Sequence, residues 1–333
     1  MYLTYFSTTT NSYVVCYNIS TGLLDLMKVG HIKPLTLDHI RTLFEQLLSA
    51  LDFLHSRNII HRDIKCSNLL ITRNGVLKLA DFGLALQIDP KSTRQSLHCK
   101  VITLWYRPPE LFLGTPKYHS EVDMWSAGCI LAEMLCCRPL FAKKTEREML
   151  PRIFRVCGTP TVSDWPEHES LEHWDSSLVS KPREECIQKE IYAQASAFKP
   201  DRLFLHNQVT HPAKELQKAF ALLRDLLKLN PKKRISAREA LVYDFVQKCI
   251  HPAHLPPIIP ENCPEKSKFG FHEMQTKPIR RKSREQQQQQ QQKAAISVGA
   301  TKSSSRASTS YKRSTSSSSG YNRSTSYRKR KRF

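Results

Sequence analysis

The chain has 333 residues, 40% of them hydrophobic, and a formal net charge of +21. That charge is unevenly placed, since residues 1–265 carry 33 Lys and Arg against 28 Asp and Glu, whereas residues 266–333 carry 18 against 2. The first part has the apolar content for a sizeable core, which excludes wholesale disorder there; the second has too little to order itself.

In chain order, the opening MYLTYFSTTTNS has neither a basic stretch nor a continuous apolar core and does not read as a secretory signal. The ten cysteines form no CxxC pair, so free thiols in a reducing compartment are expected. From Leu37, apolar residues recur at Ile40, Leu43, Phe44, Leu47, Leu48, Leu51 and Leu54, the spacing of an amphipathic helix. Leu69-Leu70-Ile71 and Val76-Leu77-Lys78-Leu79 flank Thr72-Arg73-Asn74-Gly75, a pattern that predicts a tight hairpin. Val122 to Cys137 and Ala213 to Leu229 again show helical periodicity, and Ser236-Ala237-Arg238-Glu239 is a capping box opening a further helix. The most apolar stretch, Trp125 to Cys137, is interrupted by Glu133 and falls short of the roughly 20 residues of a membrane span, so no membrane partner is expected. Beyond His251 prolines crowd together, glutamines run from Gln286 to Gln292, and Ser, Thr and Tyr mixed with Lys and Arg fill the end.

Two loop motifs carry chemistry. His61-Arg62-Asp63-Ile64-Lys65-Cys66-Ser67-Asn68 follows the strong helix, and Asp81-Phe82-Gly83 follows the hairpin. Phosphoryl transfer needs a carboxylate to orient the accepting hydroxyl, oxygen ligands for Mg²⁺ and a cation on the transferred group. Asp63, then Asn68 with Asp81, then Lys65 suit those roles.

On these motifs the sequence resembles the protein kinase family, over roughly residues 12–260. Val101-Ile102-Thr103-Leu104-Trp105-Tyr106-Arg107-Pro108-Pro109-Glu110 is similar to the end of the activation segment in cyclin-dependent kinases. Cys66-Ser67, Pro108-Pro109-Glu110, and Val156-Cys157-Gly158-Thr159-Pro160 with Trp165-Pro166 resemble the transcription-elongation branch, which pairs with cyclin K and phosphorylates the RNA polymerase II C-terminal domain. The resemblance implies an α+β fold: a mostly helical large lobe with small β-hairpins, a small N-terminal lobe largely missing, and a disordered basic tail. It divides the chain into an unmatched 1–11, a kinase domain over 12–260 and a tail over 261–333. It further implies a Ser/Thr kinase using ATP and Mg²⁺, a cyclin K-like partner, and a substrate with Ser/Thr-Pro sites.

Residue by residue, the resemblance assigns Asp63, Lys65 and Thr103 to catalysis and Asn68 and Asp81 to metal. Tyr17 and Ile19 become the adenine-binding hinge, and Ile102, Trp105 and Arg107 a pocket for the proline after the acceptor. Arg62, Glu110, Asp123 and Arg234 are structural supports, with Glu110 pairing Arg234 and Asp123 holding the catalytic-loop backbone. Departures are as informative. The family's Gly-rich loop, its strand Lys and the Glu paired with that Lys are not found, and there is no G-x-G. The threonine phosphorylated in these kinases aligns with His98, and a receptor Arg aligns with Leu86, so control by phosphate at this position is expected to be lost. The terminal Arg328-Lys329-Arg330-Lys331-Arg332 reads as a nuclear-import or polyanion-binding run, RNA included. The alternative is a catalytically incompetent large-lobe scaffold or fragment with a polyanion-binding tail.

Overall fold

The computed structural model describes residues 5–8, 11–14, 21–22, 35–72, 74–89, 97–179, 181–198 and 212–258. The chain divides into a unit of Met1–Gly270 and a unit of Phe271–Phe333, and every described residue lies in the first.

Three short strands come first: β1 (Tyr5–Thr8), β2 (Asn11–Val14) and β3 (Thr21–Gly22). β1 and β2 pair antiparallel, and Gly22 of β3 lies opposite Leu70 of β5 (Leu69–Ile71). β5 turns back into β6 (Leu77–Leu79) with Ile71 opposite Leu77. The hairpin expected at Asn74-Gly75 is present with a longer connection: Thr72 N–H donates to the Val76 carbonyl at 2.9 Å and Gly75 N–H to the Thr72 carbonyl at 3.0 Å. Gly75 has φ +73, and the Cβ of any other residue would meet Pro252 Cβ at 3.2 Å, which is why glycine sits there.

The helical bed is built on α1 (Leu37–His55). Its N-cap Thr36 accepts from His39 N–H at 3.2 Å, while His39 Nδ1 accepts from Thr36 N–H at 3.1 Å. This is a capping box with an imidazole where Glu or Gln is usual. The predicted face, Leu43, Phe44, Leu47, Leu48 and Leu51, is buried. After β4 (Ile59–Ile60) and β7 (Leu86–Gln87), which pair with Ile60 opposite Leu86, come α2 (Pro109–Phe112) and α3 (Glu121–Cys136). α3 is buried on every side from Val122 to Cys136 and is the central post of the core.

α4 (Glu146–Cys157) packs against α2, whereas α5 (Ile187–Phe198) and α6 (Pro212–Leu226) pack against α3 itself. A Cβ on Gly128 of α3 would lie 2.9 Å from Leu227 Cδ2 and 3.0 Å from Leu226 Cβ, so only glycine permits this approach to the end of α6. The Ser236 capping box is present, but α7 (Ala237–Leu241) is only five residues long before α8 (Asp244–Gln247). Among the described residues no helix is long and apolar enough to cross a membrane, and the cysteines found there are free thiols.

Candidate active site

The segment from His61 to Asn68 leaves β4 and enters β5 through a short 3-10 turn, Cys66–Asn68. Its backbone hangs on Asp123 in the first turn of α3. Asp123 is fully buried and accepts from His61 N–H at 2.8 Å, from Arg62 N–H at 2.9 Å and from His55 Nε2 at 3.0 Å. Arg62 takes a left-handed backbone, φ 62, which turns the chain toward Asp63.

Asp63 is the centre of a four-residue cluster. Thr103 donates its hydroxyl to Asp63 Oδ1 at 2.8 Å, and Lys65 Nζ stands 2.9 Å from Asp63 Oδ2 and 3.4 Å from Thr103 Oγ1. Asn68 Nδ2 donates to the Asp63 carbonyl at 2.8 Å and to Oδ2 at 3.1 Å, so its amide oxygen is the end left for another ligand. His61 Nδ1 accepts from Asp63 N–H at 3.2 Å, which leaves Nε2–H to donate to the Ala80 carbonyl at 3.1 Å. Burial drives the His61 pKa below its ordinary 6.5 against the nearby pull of Asp123, keeping the ring neutral for this double role.

Ala80 also joins the two motifs, because its N–H donates to the Asn68 carbonyl at 2.9 Å and its successor is Asp81. Asp81 is left-handed, φ 64, and a Cβ on Gly83 would come within 3.2 Å of its Oδ1. Gly83 therefore gives the Asp81 carboxylate its room.

Further along, Ile102 is left-handed, φ 68, and its carbonyl accepts from Arg107 Nε at 3.3 Å and Nη2 at 3.1 Å. Arg107 Nη1 reaches Glu146 Oε1 at 2.6 Å. Trp105 is 40% exposed and donates Nε1–H to the Lys143 carbonyl at 2.8 Å. Glu110 and Arg234 form a two-pronged pair of 2.7 and 2.9 Å, both buried. Burial pushes the Glu110 carboxyl up while the Arg234 guanidinium pulls it down.

Two buried groups were not singled out in the sequence. Glu133 of α3 accepts from the Tyr106 hydroxyl at 2.7 Å and from the Cys66 thiol at 3.2 Å. Burial raises the pKa of both donors well above their ordinary values, so they stay protonated and pin the Cys66–Asn68 turn to the stretch that carries Tyr106. Tyr118 is the other: it links Arg62 to the carbonyl of His98. A buried hydroxyl or carboxylate on an apolar stripe is visible in sequence, but its partner is not. Tyr17 and Ile19 lie outside the described residues.

The profile described as "Protein kinase domain" matches residues 1–246. The chain belongs to the protein kinase family. The match begins at residue 1, where the sequence alone showed no resemblance. Cyclin-dependent kinase 12 of Caenorhabditis elegans is 35% identical over 83% of this chain, and the match covers 34% of that relative. The chain thus spans about a third of the length of that curated kinase. The yeast RNA polymerase II C-terminal-domain kinase CTDK-1 complex contains a chain of similar fold, with TM-score 0.61 and 30% identity over 77% of each chain. A chain in the CAK complex from Chaetomium thermophilum bound to ATP-γ-S gives TM-score 0.62 and 32% identity over 76% of this chain and 74% of that one. The fold is that of a kinase, with a helical large lobe and few strands.

Proposed function

We propose that this large lobe is the catalytic half of a cyclin-dependent Ser/Thr kinase that phosphorylates Ser/Thr-Pro sites, with the RNA polymerase II C-terminal domain as its substrate and a cyclin K-like protein as its partner. The observation that carries the proline requirement is the Ile102 carbonyl, gripped by two donors of Arg107 beside the Thr103–Asp63 bond. With that carbonyl taken, the wall next to the acceptor offers no partner for a following N–H. Proline has none to leave unpaired. The kinase domain is assigned to residues 12–260 and the basic tail to 261–333.

Bound ATP supplies the phosphoryl group, and Mg²⁺ neutralises charge on it. Asn68 and Asp81 would hold the metal: one carboxylate and one amide oxygen suit an ion bound mainly through phosphates. Among the described residues no cluster of three or more His, Cys, Asp or Glu stands ready for a metal alone. Asp63 orients the substrate hydroxyl and takes its proton, Thr103 fixes the direction of that carboxylate, and Lys65 places positive charge beside it. Tyr17 and Ile19 are assigned the adenine contacts.

The rival reading is a catalytically incompetent large-lobe scaffold or fragment with a polyanion-binding tail. The deciding experiment compares the chain with a fusion to the small lobe of a related kinase, both with cyclin, on a Ser-Pro peptide. Near-background turnover alone and robust turnover in the fusion, lost in Asp63→Asn, support the enzyme. An inactive fusion supports the scaffold.

The tail is assigned to nuclear import and to polyanion binding through its Lys and Arg, with affinity falling steeply as salt rises. Deleting residues 293–333 should abolish nuclear accumulation of a fluorescent fusion. Unchanged localisation removes this assignment.

A further inference from the structure

Where related kinases fix the activation segment with a phosphate, this chain has His98, and the structure holds the same stretch by other means. Leu97 N–H donates to the Pro116 carbonyl at 2.9 Å, and the Cys99 thiol to the Thr115 carbonyl at 3.1 Å. The Tyr118 hydroxyl donates to the His98 carbonyl at 3.0 Å. The same hydroxyl accepts from Arg62 Nη1 at 3.3 Å, and Arg62 Nε donates to the Leu84 carbonyl at 2.7 Å, just past Asp81-Phe82-Gly83.

A phosphate dianion needs several cations around it. A neutral hydroxyl needs only one donor. Tyr118 uses both hydrogen-bonding capacities of its oxygen, accepting from the catalytic loop and donating to the activation segment. Its side chain is 1% exposed, so the ring is locked by packing and the oxygen has a fixed position. The bonded atom of residue 98 is the backbone carbonyl, which any residue would supply.

We propose that Tyr118 is a positioning residue that docks the activation segment on the catalytic loop through Arg62, in place of a phosphate, so that the arrangement of Leu97 to Lys100 is independent of phosphorylation. The proposal rests on the kinase assignment for the role of that segment. The hydrogen-bond relay itself does not depend on it.

The test is amide hydrogen exchange on the full chain, which does not require phosphoryl transfer. Phosphatase treatment should leave exchange at Leu97 unchanged. Tyr118→Phe, which removes one oxygen and keeps the ring, should speed exchange there about fivefold, the effect of losing one ordinary hydrogen bond. His98→Ala keeps the carbonyl and should change it less than twofold. Amides of α3 serve as the internal reference; if Tyr118→Phe loosens them too, Arg62→Gln breaks the relay from its other end and should give the same local acceleration. Wild-type exchange in both Tyr118→Phe and Arg62→Gln, or acceleration on phosphatase treatment, overturns the proposal. Asp63→Asn should leave Leu97 exchange unaltered, so failure of the relay and failure of the enzyme assignment are read separately.

Discussion

Thr103 donates its hydroxyl to Asp63 at 2.8 Å across 40 residues of sequence, so the stretch leading to Glu110 is bonded to the His61–Asn68 loop. Thr103→Val keeps the shape and removes the donor. In the small-lobe fusion with cyclin, kcat should fall about tenfold, the equivalent of one directed hydrogen bond. Asp63→Asn should cost roughly 10² to 10⁴, the range for a positioned base. Steady-state kinetics on one Ser-Pro peptide, with KM for ATP unchanged in both, checks the pair.

Arg107 should set the preference for proline. Lys in its place has no planar fork and cannot grip the Ile102 carbonyl while also reaching Glu146. Freed of that grip, Ile102 should leave its left-handed backbone, which costs about 1–3 kcal/mol to hold. The ratio of kcat/KM for Ser-Pro over Ser-Ala peptides should drop about tenfold in Arg107→Lys. An unchanged ratio would assign the preference elsewhere.

Glu110→Ala should destabilise the lobe by roughly 3–5 kcal/mol, because Arg234 would be left buried and unpaired. Replacing both by apolar residues should recover only part of this. Arg234 also donates to the carbonyls of Lys228 and Glu121, which would lose their partner. Urea midpoints of the single and double variants measure it.

Acid should weaken the fold before its carboxylates titrate. The folded His61 pKa lies below 6.5, so the unfolded chain takes up the proton first as pH falls. His39 is shifted the same way by burial. Stability from these rings is fully present above about pH 6.5 and is lost as pH drops below it toward the folded values. Urea midpoints between pH 7.5 and 5.5 should fall, and His61→Gln should flatten that slope.

Much of this was legible in sequence where the signal is local. The periodicity from Leu37 to Leu54 is satisfied by one buried face of α1, and the His61–Asn68 and Asp81–Gly83 motifs meet in space because Ala80 bonds to both ends of the first. What did not show is set by distant partners. Nothing in the neighbourhood of Tyr118 names Arg62 as the donor to its hydroxyl, and Glu133 reads as an interruption of an apolar run until Tyr106 and Cys66 arrive from 27 and 67 residues away. α4 and α5 were not among the helices read from the sequence. Thr145 and Glu148 cap α4, whose interior holds Pro151, a residue that argues against a helix on propensity alone.

Among the described residues, Asn58, Arg62, Asp81, Ile102 and Cys137 are the non-glycine positions with left-handed backbone, and three of the five belong to the site. Cys137 does not: at φ 57 it ends α3, on the far side of that helix's sequence from Asp123. Glycine is the residue that helix ends of this geometry favour, and Cys137→Gly should remove strain of roughly 1 kcal/mol. That gives protein engineering a reserve. A lobe so relieved could tolerate harsher substitutions at Arg62, Asp81 or Ile102 and remain folded, so that variants built to dissect the chemistry, or to evolve it, start from a sturdier template.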